Sequence, residues 1–122
     1  MKVQTSRKAG FTFMEIMIVV AAVGLLCAIA VPSFIKARTK SQATRCINNL
    51  RQIDAAIQQW AADNNKGVTS PVTQDEVQPY LGHGDQGQWP TCPGGGSYIL
   101  TTVEENATCS LGVTVVPNHV LN

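Results

Sequence analysis

The chain has 122 residues, 44% of them apolar and 14% charged, with a formal net charge of +1. That length accommodates one domain of ordinary size and excludes a large multi-site enzyme. The apolar share is concentrated: no charge occurs between Ile16 and Ile35, so a soluble globule made from the whole chain is excluded as well. The net charge conceals three unlike segments. Lys2, Arg7 and Lys8 stand in the first ten residues without an acid, and Lys36, Arg38, Lys40, Arg45 and Arg51 follow in a second stretch without one. From Gln52 onward Lys66 faces seven acids, Asp54, Asp63, Asp75, Glu76, Asp85, Glu104 and Glu105, a net of −6. A nucleic-acid-binding head carries bases over its folded face, so this acidic region argues against nucleic acid as its partner.

In chain order the first element is an apolar helix. Crossing the hydrocarbon takes about 20 residues, which Phe11 to Ile35 supply. The short basic N-terminus is expected to stay in the cytoplasm and the rest to lie outside; the bases after the apolar run argue weakly for the opposite orientation, unless they sit against lipid headgroups. Three export routes place a cut differently. A secretory signal would be cut after Ala28-Ile29-Ala30, and a lipoprotein before Cys27, where Leu26 stands in place of a small residue. A third cut falls at Gly10-Phe11, ahead of the apolar run. Glu15 separates them, because an ionised carboxylate in the bilayer costs about 2.5–3.5 kcal/mol and signals a partner or an interface.

The segment Lys8-Ala9-Gly10-Phe11-Thr12-Phe13-Met14-Glu15 resembles the processing site of type IV prepilins and type II secretion pseudopilins. There a short basic leader ends in Gly, Phe-Thr follows, a Glu lies four residues past the Phe, and a long apolar run comes next. Phe13 and Met14 depart from the aliphatic residues usual at those places. The resemblance implies that a membrane aspartyl protease, the prepilin peptidase and methyltransferase, cuts after Gly10 and methylates the new amine of Phe11. It implies that Glu15 pairs with the terminal amine of a neighbouring subunit during assembly, and that Gly24 and Pro32 are points of helix flexibility. Implied partners are the peptidase, identical or related pilin subunits, an inner-membrane assembly platform, and lipid before assembly. Implied localisation is a single pass through the cytoplasmic membrane with the head outside, then an extracytoplasmic filament. The alternative is an exported or membrane-anchored binding module whose N-terminus is only a secretion signal.

The helical pattern continues past Pro32. Cys46, Leu50, Ile53, Ile57 and Trp60 recur every three or four residues, widened by Ala43, Ile47, Ala56 and Ala61, while Arg45, Asn49, Arg51, Gln52, Gln58, Gln59 and Asp63 take the other faces. At 1.5 Å per residue, a helix from Phe11 to Asn65 would span about 80 Å. Its apolar stripe needs a cover, for which packing against the chain's own head is preferred over a coiled coil of barely two heptads. Asn64-Asn65-Lys66-Gly67 ends the helix.

The head begins with a linker, Val68 to Gln74. Thr73-Gln74-Asp75-Glu76 has capping-box spacing and opens a short helix with Val77, Tyr80 and Leu81, closing at Gly82. His83 to Gln88 reads as a turn, Ser97 to Val103 as a strand, and Thr108 to Val116 as a second strand interrupted at Gly112. A Cys92–Cys109 disulfide is expected; it would close a loop of about 17 residues and stabilise by about 3 kcal/mol in the chain-entropy model. Cys46 competes for either partner. A metal site of Cys46, Cys92, Cys109 and His119 is set aside because no close pair such as C-x-x-C is present, and no cofactor is expected. Gly94-Gly95-Gly96 lacks the rest of a phosphate loop, and His83 and His119 lack a nucleophile pattern, so the chain is not read as an enzyme. The expected fold is α+β, a long helix on a small antiparallel sheet. Its parts are a leader over 1–10, a membrane and filament-core helix over 11–35, an amphipathic helix over 36–65, and a head over 66–122.

Overall fold

The computed structural model describes residues 10–82, 87–114 and 117–121. Residues 1–9 of the expected leader, His83 with most of its expected turn, and Val115-Val116 of the expected second strand lie outside the described residues. The elements are α1 (Phe13–Asp63), α2 (Gln74–Val77), a 3₁₀ turn (Gln78–Tyr80), β1 (Tyr98–Ile99) and β2 (Thr108–Cys109). The architecture is α+β, as expected, and the chain divides into two compact units, Met1–Lys36 and Ala37–Asn122.

In the first unit, Thr12 opens α1. Its carbonyl accepts the Glu15 N–H at 3.2 Å and its hydroxyl accepts the same N–H at 3.3 Å. Thr12-x-x-Glu15 therefore has the spacing of a capping box, with the acid in the first turn, where the helix dipole favours negative charge. Pro32 lies inside the helix; it lacks an N–H for the Ala28 carbonyl, and a helix tolerates that loss better where neighbours surround it. The most apolar 18-residue window has a mean hydropathy of 2.6 and none of it is buried.

In the second unit, the helical stripe is the floor of the core. Ala43, Cys46, Leu50, Ile53, Ala56, Ile57, Trp60 and Ala61 are buried, the set read from periodicity except Ile47, which is half-buried. Val72, Val77, Leu81, Tyr98, Val103 and Ala107 close over it. Polar residues flanking the stripe bind the cover. Asn49 donates to the Thr91 carbonyl at 3.2 Å and to the Tyr98 hydroxyl at 2.9 Å. Gln58 donates to the Val103 carbonyl at 3.1 Å, and the Ala107 N–H donates to Asp54 Oδ1 at 2.7 Å. Head-on-helix packing was the expected cover.

The helix ends in a Schellman motif. Lys66 N–H reaches the Ala61 carbonyl at 2.9 Å and Asn65 N–H the Ala62 carbonyl at 3.4 Å, with Asn65 at φ 51°. The left-handed residue is thus Asn65 rather than Gly67. In α2 the Glu76 carboxylate accepts from the Thr73 N–H at 3.2 Å and from its hydroxyl at 2.7 Å, the reciprocal half of the expected capping box.

The strands are shorter than expected. β1 and β2 pair antiparallel over two residues each, Tyr98 opposite Cys109 and Ile99 opposite Thr108. The stretch Ser97–Val103 serves two partners in succession. Beyond Ile99 it leaves β2 and meets the segment expected as a linker: Val72 N–H donates to Thr101, Val103 N–H to Ser70, and Glu104 N–H to Val68, at 3.1, 3.2 and 2.9 Å. Every backbone donor here needs an acceptor, and one short strand cannot supply both halves.

Candidate functional site

Four segments far apart in the sequence bring their chemistry to one point. Cys46 comes from α1, Cys92 from the loop before β1, Cys109 from β2 and His119 from the C-terminal segment. Their donor atoms all lie within 4.8 Å of one another. All four side chains are buried, none more than 5% exposed. His119 Nδ1 lies 3.3 Å from Cys92 Sγ. The cysteines stand as thiols, and the two expected to be bridged, Cys92 and Cys109, share their space with Cys46 and His119.

Local backbone geometry explains how the residues converge. Cys92 and Cys109 each head a turn closed three residues later on a glycine: Gly95 N–H donates to Cys92 O at 2.9 Å and Gly112 N–H to Cys109 O at 2.9 Å. Both glycines have positive φ, 89° and 34°, where a side chain is disfavoured. Gly112 then accepts the His119 N–H at 2.7 Å, which brings the C-terminal segment back to the second turn. The other two glycines of the 94–96 run stand against the cluster. A Cβ on Gly96 would sit 2.8 Å from Cys109 Sγ, and one on Gly94 would sit 3.0 Å from His119 Cε1. The run expected as a plain turn is also a requirement of close packing.

The sulfurs are not equivalent. Burial pushes the Cys46 thiol up to about 12, reinforced by Cys92 and Cys109 beside it. Burial also acts to raise Cys92, but the backbone N–H groups of Gly96 and Gly94, with the Cys46 and His119 side chains, outweigh it and bring that thiol down to about 7. Tyr98, next to Cys46, is pushed up by burial against the opposing hydrogen bond from Asn49. Three thiols and an imidazole at one buried point have the chemistry to hold a metal ion, and the sequence spacing hides them because no two are neighbours on the chain.

The residues marked at the N-terminus lie on the other unit. Gly10, Phe11, Glu15, Gly24 and Pro32 are all exposed, and the structure contributes the Thr12 cap on Glu15, which sequence reasoning overlooked although its spacing repeats that of Thr73 and Glu76.

No family model matches the chain, and no solved structure gives a significant match. Among curated proteins, the type II secretion system core protein G of Escherichia coli (strain K12) is 26% identical over 117 residues, covering 88% of this chain and 81% of that protein. The type IV major pilin protein PilA of Myxococcus xanthus is 38% identical over 60 residues, covering 49% of this chain and 27% of the pilin. The type IV major fimbrial protein FimA of Dichelobacter nodosus is 39% identical over 62 residues, covering 51% of this chain and 40% of that protein. The chain is thus similar along most of its length to a type II secretion system core protein G, and along about half of it to two type IV major pilins.

Proposed function

We propose that the protein is a structural subunit of a type IV pilin-like filament, a pilus or a secretion pseudopilus. The carrying observation is the uncovered helix: an 18-residue window at mean hydropathy 2.6 with no burial. Such a surface needs lipid before assembly and other apolar stems afterwards. The role is mechanical rather than catalytic, with the stem over 11–35 bundling and the head over 66–122 facing outward.

In this reading prepilin peptidase removes residues 1–10 at Gly10 and methylates Phe11, and the single-pass precursor waits in the inner membrane with its head outside the cytoplasm. Cleavage creates an ammonium on Phe11, four residues from Glu15. Opposite charges 4 Å apart attract by about 4 kcal/mol at an effective dielectric of 20, and desolvation consumes much of that gain. The Glu15 carboxylate therefore acts through register: a neighbour whose amine is out of place leaves a charge unpaired in an apolar bundle. Gly24 and Pro32 give the stem places to bend as it packs. Platform proteins at the inner membrane supply the work of extraction.

A mass spectrum of the N-terminal peptide from the native membrane tests the processing. The expected species begins at methylated Phe11. A mature terminus at Val31, or an intact Met1, would refute this reading and favour an export signal.

A further inference from the structure

We propose that Cys46, Cys92, Cys109 and His119 form a structural zinc site that ties the head to α1. Three cysteines and one histidine are a complete tetrahedral donor set for a closed zinc site, with Zn–S at about 2.3 Å and Zn–N at about 2.0–2.1 Å. Those bond lengths put tetrahedral donors about 3.5–3.8 Å apart. Cys92 and His119 already stand at 3.3 Å, and the whole group falls within 4.8 Å, so an ion requires inward movement of about 1 Å or less at the widest pair. Full burial leaves no open position for a substrate, which makes the site structural rather than catalytic.

A disulfide accounts for less of the same geometry. Any single bridge uses two sulfurs and leaves behind a third buried thiol together with an imidazole that is only 4% exposed. One ion satisfies all four groups. The turns support the same reading: two of the ligands, Cys92 and Cys109, head equivalent glycine-closed turns, and the second turn's Gly112 carbonyl holds His119 by its backbone N–H at 2.7 Å. Gly96 and Gly94 leave room for Cys109 Sγ and His119 Cε1 where any side chain would intrude. Need is also visible. The sheet has two residues in each strand, and small domains with so little regular structure gain from a metal or a covalent staple. The ligands come from α1, the loop before β1, β2 and the C-terminal segment, so a single ion would join α1 to three segments of the head. Binding takes the cysteines as thiolates and releases their protons to solvent, leaving a site of net charge −1 from three thiolates and one divalent ion.

The test uses the full chain, purified in detergent without reductant or chelator. Elemental analysis should find about one zinc per chain. After chelation, Co²⁺ added alone should give the intense visible ligand-field bands and near-ultraviolet charge-transfer bands of a tetrahedral thiolate site, and X-ray absorption of the zinc form should count about three sulfurs and one nitrogen. Cys27→Ser, in the apolar helix, should leave stoichiometry and spectrum unchanged, whereas His119→Asn should weaken zinc retention at least tenfold against a competing chelator. Neither the metal count nor the cobalt spectrum depends on a variant that folds. A Cys92–Cys109 or Cys46-containing disulfide in the metal-free native chain would overturn the proposal, as would reduced thiols that give no cobalt spectrum under excess Co²⁺. No readout involves filament assembly, so failure here is distinct from failure of the filament reading.

Discussion

Asp54→Asn should stabilise the protein at neutral pH, although it removes a charged partner from a short hydrogen bond. Asp54 Oδ1 accepts the Ala107 N–H at 2.7 Å, while Oδ2 is buried and has no hydrogen-bond partner among the described residues. Burial holds this carboxyl above its ordinary value of 3.8, against the lowering effect of the Ala107 N–H. The folded form therefore prefers the protonated acid: the stability linked to this group is fully present below pH 3.8 and is lost as pH rises through the folded pKa. An asparagine carbonyl keeps the Ala107 bond in neutral form, which loses about 1 kcal/mol, while exchanging a buried unpartnered ionic oxygen for an uncharged amide NH2 returns the excess cost of the charge, within a range of about 1–3 kcal/mol. Asp54 is only half-buried, which favours the lower part of that range and a net gain of about 0–1 kcal/mol. For a domain the size of the Ala37–Asn122 unit, the upper end of that gain corresponds to about 4–8 °C in Tm. Thermal unfolding of the full chain in detergent, followed by near-ultraviolet dichroism and the fluorescence of Trp60 and Trp89, gives the difference between variant and parent at each pH. The gap should be widest near pH 7 and shrink on acidification toward pH 4. A variant less stable at pH 7, or a gap independent of pH, would refute the reasoning.

Leu50→Ala should cost the head about 2–5 kcal/mol by opening a cavity, since Leu50 is fully buried, whereas Leu25→Ala, 71% exposed on the same helix, should leave head unfolding unchanged; urea denaturation in detergent compares them. Gly96→Ala should destabilise the head by about 1–3 kcal/mol, because its new Cβ meets Cys109 Sγ at 2.8 Å and Leu111 Cγ at 2.9 Å, and the shift is read from the same unfolding curves. Glu15→Ala should abolish filaments in cells while leaving the leader cut intact, checked by filament yield and precursor mass; normal filament yield would end the register argument. Gly10→Val should leave precursor of full mass, and mature protein from that variant would contradict the cut site.

Much of the second unit was legible because helical burial is periodic. Cys46, Leu50, Ile53, Ile57 and Trp60 announce one face by spacing alone, and each is buried. Capping is equally local, and Thr73 with Glu76 was readable three residues apart. The strands were less legible. Ser97–Val103 has strong strand composition, yet composition does not state which partner takes which backbone group, and two partners divided it. Asp54 stands in the sequence only as one of the seven acids from Gln52 onward, and its role depends on Ala107 folding over it.

The sequence by itself determined the class of the molecule: charge-free length, a carboxylate one turn into the helix, and a stripe that needed covering are properties of residue order and of nearest neighbours. Only the tertiary structure decided what the cysteines do. Cys46 and Cys92 are separated by 45 residues and Cys109 and His119 by 9, distances over which spacing carries no information about approach. Their meeting depends on two glycine turns, on the register of a two-residue sheet, and on which face of α1 the head covers. Those are long-range choices set by the packing of the entire head, and they turn four scattered donors into one buried site.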